Sequence, residues 1–303
     1  MTNFFAIVGP TGIGKTSLSI KLAKKLNSEI IGLDSRQIYK MIPIGTAQPS
    51  EKDLKTVKHH LIGIKDLHES ISAGEFMKLV DNKIAKILEK NKTPIICGGT
   101  GLYLKSLVDG IFIGSKTDTN IRTDIEKEYD NGNSENLYKE LISIDPEYSK
   151  KVHPNNKRRL VRALEIYKIT GKNMTENFKS ENKKSTFHSH IQTAYLRMSR
   201  KSLESIIYQR TLSMIENGMI EEVQYIKDNK YNIDHIDYIG FSEISSYLEK
   251  KMSKEDVIEK IHIRTRQYAK RQMKWFDNQS FDHVFDMDNM SVNDIVDKLV
   301  EIS

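Results

Sequence analysis

Apolar residues follow two spacings along the first third of the chain. Largely apolar runs, typical of buried parallel strands, occupy residues 4–8, 29–33 and 93–97, and residues 59–64 resemble another short strand. Residues 73–91 instead repeat apolar side chains at helical spacing, which predicts an amphipathic helix. Strands that alternate with helices indicate an α/β fold in which a parallel sheet is flanked by helices.

The pattern changes near residue 114, where a polar, lysine-rich block begins. Helical spacing indicates an all-helical insertion at 115–190, with helices over 121–129, 134–144 and 156–170 and a loop over 178–190. We therefore predict a core over residues 1–114 that resumes at 191–303. The resumed part is predicted to contain a strand at 191–198, one helix or a pair within 203–229, a helix at 254–276, a strand at 281–285 and a helix at 292–300.

The turn after the first strand matches a complete phosphate-binding pattern, G-x-x-x-x-G-K-[ST], with a strand before it and helical spacing after it. Its glycines let the backbone turn with the N–H groups directed inward, and the helix N-terminus adds a positive dipole end. The predicted core is therefore P-loop NTPase-like, and its phosphate loop should bind a diphosphate or a nucleotide such as ATP. Lys15 would contact phosphate oxygens and the Thr16 hydroxyl would ligate Mg²⁺. The phosphate loop comprises Gly9, Pro10, Thr11, Gly12, Ile13, Gly14, Lys15 and Thr16.

The composition is that of an ordinary globular chain, with 29% charged and 38% hydrophobic residues. No apolar stretch approaches the length of a membrane span, and the sequence starts on the first strand, so neither a membrane segment nor a signal peptide is expected. The single cysteine, Cys97, excludes an internal disulfide and favours a cytoplasmic location. The net charge of +6 permits a polyanionic partner without identifying one.

A carboxylate, Asp34, follows the second buried strand, at the sheet edge where ligands bind in open α/β folds. It can be a general base, a Mg²⁺ ligand or a helix cap, and the functional roles are favoured. No later strand ends in the aspartate of a conventional nucleotide hydrolase, because the 93–97 strand continues into Gly98 and Gly99. The sequence therefore points away from a motor or a switch.

Two further polar features have open interpretations. Thr100 lies in a second glycine-rich turn, where its hydroxyl can contact a phosphate or a substrate, or cap the following helix. His59 and His60 lack partners at zinc-ligand spacing, as do His188 and His190, so no structural zinc site is expected.

Two predicted helices carry clustered cations. Arg158, Arg159 and Arg162 share one helix face. The second run contains Arg264, Arg266, Lys270, Arg271 and Lys274, interleaved with Tyr268, Trp275 and Phe276. Cations with interleaved aromatics suit an RNA backbone with unstacked bases, whereas the alternative is a solvated cationic face above core aromatics. Composition does not separate these two interpretations.

Motifs spread over nearly the whole chain resemble those of the tRNA dimethylallyltransferases, also called tRNA isopentenyltransferases. Together, and in the family's order, they are highly specific. The matching stretches are the phosphate loop, D-S-R-Q-I-Y at 34–39, I-G-T-A at 44–47, H-H-L-I at 59–62, G-G-T-G-L-Y at 98–103, H-P-N-N at 153–156, R-L-V-R-A-L-E at 159–165, G-F-x-E at 240–243 and T-R-Q-Y-A-K-R-Q-M-x-W-F at 265–276. Three positions depart from the pattern: the family usually has Met where Arg36 stands, Thr where Lys274 stands and Arg where Asp277 stands.

The resemblance implies transfer of the dimethylallyl group from dimethylallyl diphosphate to N6 of the adenosine immediately 3′ of the anticodon in tRNA, with release of diphosphate. The phosphate loop, with Mg²⁺ on Thr16, would then hold a leaving group and not a transferred phosphoryl group. Asp34 would act as the general base, and Thr100 would contact the acceptor nucleotide or the diphosphate. A monomer that binds the anticodon stem-loop is expected.

The resemblance also implies which residues contact RNA. The target base cannot react while it is stacked, so it must be extruded into the site, where Ser35, Arg36 and Gln37 would hold it. The helical insertion would reach over the anticodon loop. The complete set expected to contact tRNA is Asp34, Ser35, Arg36, Gln37, Thr100, Arg122, Arg158, Arg159, Leu160, Val161, Arg162, Arg266, Lys270 and Arg271.

Other classes of function stay open at this point. A P-loop small-molecule kinase with Asp34 as its base would use the same loop, but such kinases carry a short lid and not a lysine-rich helical block. A non-catalytic RNA-binding module would need neither the phosphate loop nor Asp34. An adenylate isopentenyltransferase would prenylate free nucleotides, and the basic C-terminal region argues for RNA instead.

Overall fold

The computed structural model describes residues 3–112, 118–180 and 182–303. The chain forms two compact units, one made of Met1–Val108 with Ser185–Ser303 and the other of Asp109–Lys184. The predicted boundary between residues 114 and 115 lies outside the described residues. The second unit starts and ends earlier in the chain than the predicted insertion at 115–190.

Parallel strands with buried, continuous apolar sequences form the sheet of the first unit. The strands of the chain are β1 (Phe4–Val8), β2 (Glu29–Leu33), β3 (His59–His60), β4 (Pro94–Gly98), β5 (Ile111–Phe112), β6 (Asn182–Lys183), β7 (Ile191–Arg197) and β8 (His283–Asp286). The first unit contains a six-stranded sheet in the order β3-β2-β4-β1-β7-β8, and every neighbouring pair in it is parallel. All residues of β1 and β2 are buried, as continuous apolar runs predict. The predicted α/β fold is confirmed.

The helices agree in type with most of the periodic segments. They are α1 (Lys15–Lys25), α2 (Glu51–Thr56), α3 (Ala73–Leu88), α4 (Gly101–Val108), α5 (Thr119–Glu128), α6 (Ser134–Ile144), α7 (Pro146–Ser149), α8 (Lys157–Thr170), α9 (Met174–Ser180), α10 (Arg200–Glu216), α11 (Met219–Asp228), α12 (Phe241–Leu248), α13 (Lys254–Phe276) and α14 (Val292–Glu301). The segment 203–229 is a pair of helices, broken at Gly218, which has φ +102°. The short helices α2, α7, α9 and α12 were not predicted from the sequence.

The two faces of the sheet are covered by different helices. Phe5 and Ile7 of β1 join α1, α14 and the start of α10 in one apolar cluster. Phe76, Val80 and Ile84 of α3 are fully buried, and α3 packs on β2 and β4. Because the strands are parallel, β1, β2 and β4 end at one edge, which carries the phosphate loop (residues 9–16), Asp34 and the second glycine turn (residues 98–101).

The second unit consists of helices α5 to α9 around its own apolar core, which includes Leu137, Leu141, Leu160 and Leu164. It is not all-helical as predicted, because β5 and β6 pair as a short antiparallel ladder. The predicted loop over 178–190 likewise contains the end of α9, β6 and a helical turn at His188–His190. Within the described parts of the chain, no helix is long and apolar enough to span a membrane.

Gly98 offers a test of how closely β4 and β2 approach at the site edge. A Cβ at Gly98 would lie 2.0 Å from the Leu33 carbonyl oxygen, a backbone atom that cannot move independently. We expect Gly98→Ala to lower the free energy of unfolding by about 3 kcal/mol, measured by denaturant titration. Gly32→Ala is the matched control, because its Cβ would meet the end of the Ile62 side chain at 2.7 Å, which can rotate away. Equal losses in the two variants would contradict this account.

Candidate active site

The phosphate loop has the backbone geometry that its glycines predict. Gly12 and Gly14 have φ values of +86° and +94°, which residues with a Cβ rarely adopt. Gly14 is the N-cap of α1 and has no side chain to cap the first turn, so the N–H groups there remain available to an anion. The Lys15 ammonium donates hydrogen bonds to the carbonyls of Gly9 at 2.9 Å and Pro10 at 2.7 Å. Lys15 is therefore fixed over the loop.

Burial lowers the pKa of Lys15 to about 8. The carboxylate of Asp34 and the thiol of Cys97 act in the opposite direction, whereas the Arg210 guanidinium lowers this pKa further. Burial is the largest of these effects, since a partly desolvated ammonium loses hydration that two carbonyls do not fully replace. A bound diphosphate would supply the missing negative charge.

Gln272 of α13 joins the two glycine turns. Its Oε1 accepts a hydrogen bond from the Thr11 N–H at 2.8 Å, and its Nε2 donates to the Gly99 carbonyl at 2.8 Å. A Cβ at Gly99 would lie 2.6 Å from that Nε2 atom and 3.6 Å from the Lys15 ammonium. A side chain at this position would displace the Gln272 amide from its hydrogen bond to Gly99.

Arg210 of α10 reaches the same loop from another direction. Its guanidinium donates a hydrogen bond to the Thr11 hydroxyl at 2.9 Å. Burial lowers the pKa of Arg210, and the Asp34 carboxylate partly offsets this effect. The two cations Lys15 and Arg210 and the carboxylate of Asp34 thus interact electrostatically within one site.

Asp34 opens the carboxylate turn (residues 34–37), which follows β2. Its Oδ1 accepts hydrogen bonds from the N–H groups of Arg36 at 2.9 Å and Gln37 at 3.3 Å. Within the described residues both of these donors use Oδ1, which leaves Oδ2 free to accept a proton. The Thr100 hydroxyl accepts from the Ser35 N–H at 3.0 Å. In this structure Thr100 therefore supports the carboxylate turn.

A buried carboxylate organises the loop beside this turn. Glu222 accepts hydrogen bonds from the N–H groups of Ile44 at 2.8 Å and Gly45 at 2.9 Å, and from the Tyr238 hydroxyl at 2.6 Å. Burial raises the pKa of Glu222, partly offset by these three donors. Gln37 contacts the same loop, because its side-chain amide donates to the Ala47 carbonyl at 2.6 Å. Gln37 therefore contributes to the wall of the site and does not project freely into it.

The cationic residues of α13 differ in what they contact. The Arg271 guanidinium lies 5.9 Å from the centroid of the Tyr268 ring, and Arg36 lies over the same ring at 4.4 Å. Burial and the nearby Asp34 carboxylate raise the pKa of Tyr268 to about 12. Arg266 and Lys270 instead line a cavity of about 300 Å³ between α10 and α13. The expected contact of Arg266, Lys270 and Arg271 with tRNA stays a prediction.

In the second unit, α8 carries the predicted RNA-contacting residues. Arg158 and Arg159 are exposed, and Arg159 donates to the Lys151 carbonyl at 3.3 Å. Arg162 pairs with the buried Glu165 at 2.9 Å. The side chains of Leu160 and Val161, expected to contact tRNA, are 0% and 1% exposed and form core instead. Helical periodicity accounts for the difference, because these two apolar residues point inward from α8.

Arg122, the remaining cation expected to contact tRNA, lies on α5. Its guanidinium pairs with Glu126, one helical turn later, at 2.9 Å.

The histidines do not form a metal site. His60 hydrogen-bonds Glu29 at 2.7 Å, near the start of β2 and away from the phosphate loop. Among the described residues, no group of three or more histidine, cysteine, aspartate or glutamate side chains is arranged to hold a metal ion.

Several residues of the site were not assigned a role from the sequence. No recognised sequence pattern includes Arg210, Glu222 or Asp237. Gln272 belongs to the motif at 265–276, which assigns it no role. A polar residue on the inner face of an otherwise apolar helix is a weak signal for such contacts. The partner of each residue lies far away in sequence.

A preformed anion site, a carboxylate at the adjacent strand end and two partly buried cations define a P-loop α/β protein. Its site can stabilise a phosphate-bearing group next to a proton acceptor. The IPP transferase family model matches residues 37–279. The chain therefore belongs to the IPP transferase family.

The relatives span nearly the whole chain. The tRNA dimethylallyltransferase of Bacillus licheniformis is 41% identical over 283 residues, covering 93% of this chain and 90% of that protein. The tRNA dimethylallyltransferase of Petrotoga mobilis is 37% identical over 303 residues, covering 99% of each.

Solved structures agree with this assignment. The full-length tRNA isopentenylpyrophosphate transferase of Bacillus halodurans shares 34% identity with a TM-score of 0.70, over 100% of this chain and 97% of that one. A eukaryotic dimethylallyltransferase acting on tRNA shares 30% identity with a TM-score of 0.82, over 99% of this chain and 80% of that one. The P-loop core and the family suggested by the sequence motifs are thus confirmed.

The lowered pKa of Lys15 predicts how diphosphate binding depends on pH. Diphosphate prefers the protonated ammonium, so its affinity should fall as the pH rises above the free-protein pKa of about 8. Between pH 8 and 9.5 we expect the affinity of the wild type for inorganic diphosphate to fall about tenfold more than that of Lys15→Arg, measured by calorimetry. The arginine stays protonated and carries the intrinsic pH dependence of the ligand. Parallel pH profiles would contradict the assignment of this titration to Lys15.

Proposed function

We propose that this chain transfers the dimethylallyl group of dimethylallyl diphosphate to N6 of the adenosine immediately 3′ of the anticodon in tRNA. The observation that carries the proposal is the convergence of three charged groups at one edge of the sheet. Lys15 and Arg210 are hydrogen-bonded to the phosphate loop, and Asp34 is held in the adjacent carboxylate turn. Two cations suit a leaving diphosphate, and the carboxylate suits an amine that must lose a proton. The names of its relatives and its family membership support the same reaction.

The acceptor side of the reaction depends on Asp34. The exocyclic amine of adenine is a weak nucleophile, because its lone pair is delocalised into the ring. As N6 forms a bond to C1 of the allyl group, Asp34 Oδ2 accepts the N6 proton, while the N–H groups of Arg36 and Gln37 orient the carboxylate through Oδ1. The adenine must leave its stack to reach this position.

The donor side depends on the phosphate loop. As the bond between C1 and the bridging oxygen breaks, negative charge grows on the diphosphate. Lys15, the loop N–H groups and Arg210 stabilise this charge, and their positions are fixed before the reaction by hydrogen bonds to loop atoms. The products are prenylated tRNA and diphosphate.

The residues present fit a Mg²⁺ ion bound mainly through the diphosphate. Thr16 lies in the first turn of α1, directly after Lys15, and its hydroxyl can supply one oxygen ligand. Mg²⁺ commonly takes one or two protein ligands, substrate phosphate oxygens and water, and it needs no protein cage. When bound, it would neutralise part of the charge on the leaving group.

We further propose that the second unit binds the anticodon stem-loop, with the exposed Arg158 and Arg159 contacting phosphates. Arg122 and Arg162 already have acidic partners, Glu126 and Glu165, and would contribute less. The protein would act as a monomer in the cytoplasm.

Asp34→Asn tests the role of Asp34 as the general base. The amide can still accept the two backbone hydrogen bonds through its oxygen but cannot take up a proton, so prenyl transfer should fall at least about 100-fold. The affinity for tRNA should stay within about twofold. The assay follows labelled dimethylallyl diphosphate with tRNA and AMP offered as rival acceptors, and Asp228→Asn, an exposed substitution on α11, is the control. Comparable loss of binding and turnover would argue against the base role, and preferential labelling of AMP would favour an adenylate isopentenyltransferase.

Arg159→Ala tests the contact between α8 and RNA. Loss of one phosphate contact should weaken tRNA binding and reduce the slope of log K against log salt concentration by about one. Filter binding at several salt concentrations measures both quantities, with Lys298→Ala on α14 as a charge-matched control. An unchanged slope would remove Arg159 from the phosphate contacts.

A further inference from the structure

The side chain of Arg36 is held on two sides. Its guanidinium lies 4.4 Å from the centroid of the Tyr268 ring on α13, and its NH2 group pairs with Asp237 at 2.6 Å. Arg36 is only 17% exposed in this position. A planar guanidinium can stack on a ring and donate to a carboxylate at its edge simultaneously, which an ammonium cannot do in the same geometry.

Asp237 is itself anchored within the first unit. It lies 3.9 Å from Arg264 of α13, and Arg264 pairs with Glu243 of α12 at 2.6 Å. The charged groups around the Arg36 side chain are therefore Asp237, Arg264 and Arg271, with Asp34 beside the Tyr268 ring. This arrangement couples Arg36 to elements about 200 residues later in the chain.

The backbone of Arg36 contacts Asp34, the proposed general base. The Arg36 N–H donates to Asp34 Oδ1 at 2.9 Å. The other attachments of the carboxylate turn run to Thr100 through Ser35 and to Ala47 through Gln37. Among the described residues, Arg36 is the member of this turn whose side chain contacts α13.

We propose that Arg36 is a positioning residue, whose stack on Tyr268 and pair with Asp237 hold the carboxylate turn in the geometry that orients Asp34. The inference rests on the proposed function. Arg36 was expected to hold the target adenine, and it is here proposed to fix Asp34, the general base that deprotonates that adenine. Asp237 thereby acquires a role in the reaction through its pair with Arg36.

The positioning role predicts a separation of kcat from binding. Asp237→Asn removes the negative charge that pairs with Arg36, at an exposed carboxylate, so the fold should persist, which thermal melting checks. We expect kcat for prenyl transfer to fall about tenfold, because a small displacement of a catalytic group is costly. KM for tRNA and for dimethylallyl diphosphate should stay within about twofold, and the salt dependence of tRNA binding should not change. Asp234→Asn removes the same charge from the same loop and should leave all of these quantities unchanged.

Variants of Arg36 separate positioning from a direct contact with RNA. Arg36→Lys keeps the charge but not the planar group, so it should lower kcat nearly as much as Arg36→Gln, with tRNA affinity retained in both. Adding Asp237→Asn to Arg36→Gln should cost little more than either change alone, because both remove one interaction. Arg271→Gln is the comparator for loss of an exposed cation. It should weaken tRNA binding and leave kcat unchanged.

Two results would overturn the inference while the wild type remains an active prenyltransferase. One is an unchanged kcat in Asp237→Asn. The other is an Arg36→Gln variant with normal kcat, weakened tRNA binding and a reduced salt slope, which would make Arg36 an RNA ligand. If the wild type transferred no prenyl group to tRNA, the proposed function itself would be contradicted. The proposed role of Arg36 would then be contradicted as well.

Discussion

The site depends on one side-chain amide that fastens two glycine turns together. Gln272 accepts from the phosphate loop through Oε1 and donates to the second glycine turn through Nε2. Both atoms of the amide are used, so neither turn can shift without leaving a buried polar group unpaired. Since α13 provides Gln272, this long helix fixes the edge of the sheet at which β1 and β4 end.

From this constraint the distribution of charge follows. With the two turns held close, Lys15 is confined among carbonyl groups, and Arg210 approaches the loop at Thr11. The Asp34 carboxylate is near enough to influence the pKa values of both cations. The arrangement places excess positive charge where a diphosphate would bind and keeps a proton acceptor beside it.

The features that sequence reasoning predicted well are local in sequence. The strand, glycine turn and helix around Lys15 lie within one short segment, and Asp34 directly follows an apolar run. The contacts of Gln272 and Arg210 with Thr11 join residues separated by 261 and 199 positions, and no periodic pattern specifies such pairs. Leu160 and Val161 were assigned to the RNA surface through a motif, although helical spacing places them in the core.

The most direct test of the account is a single-turnover reaction with dimethylallyl diphosphate, tRNA and excess protein, in which diphosphate release and labelled adenosine are quantified together. The account requires equal amounts of the two products at the same rate, because the phosphate loop stabilises the group that the adenine displaces. Release of diphosphate without prenylated tRNA, or cleavage of ATP at the γ-phosphate in a protein that ignores the prenyl donor, would contradict it.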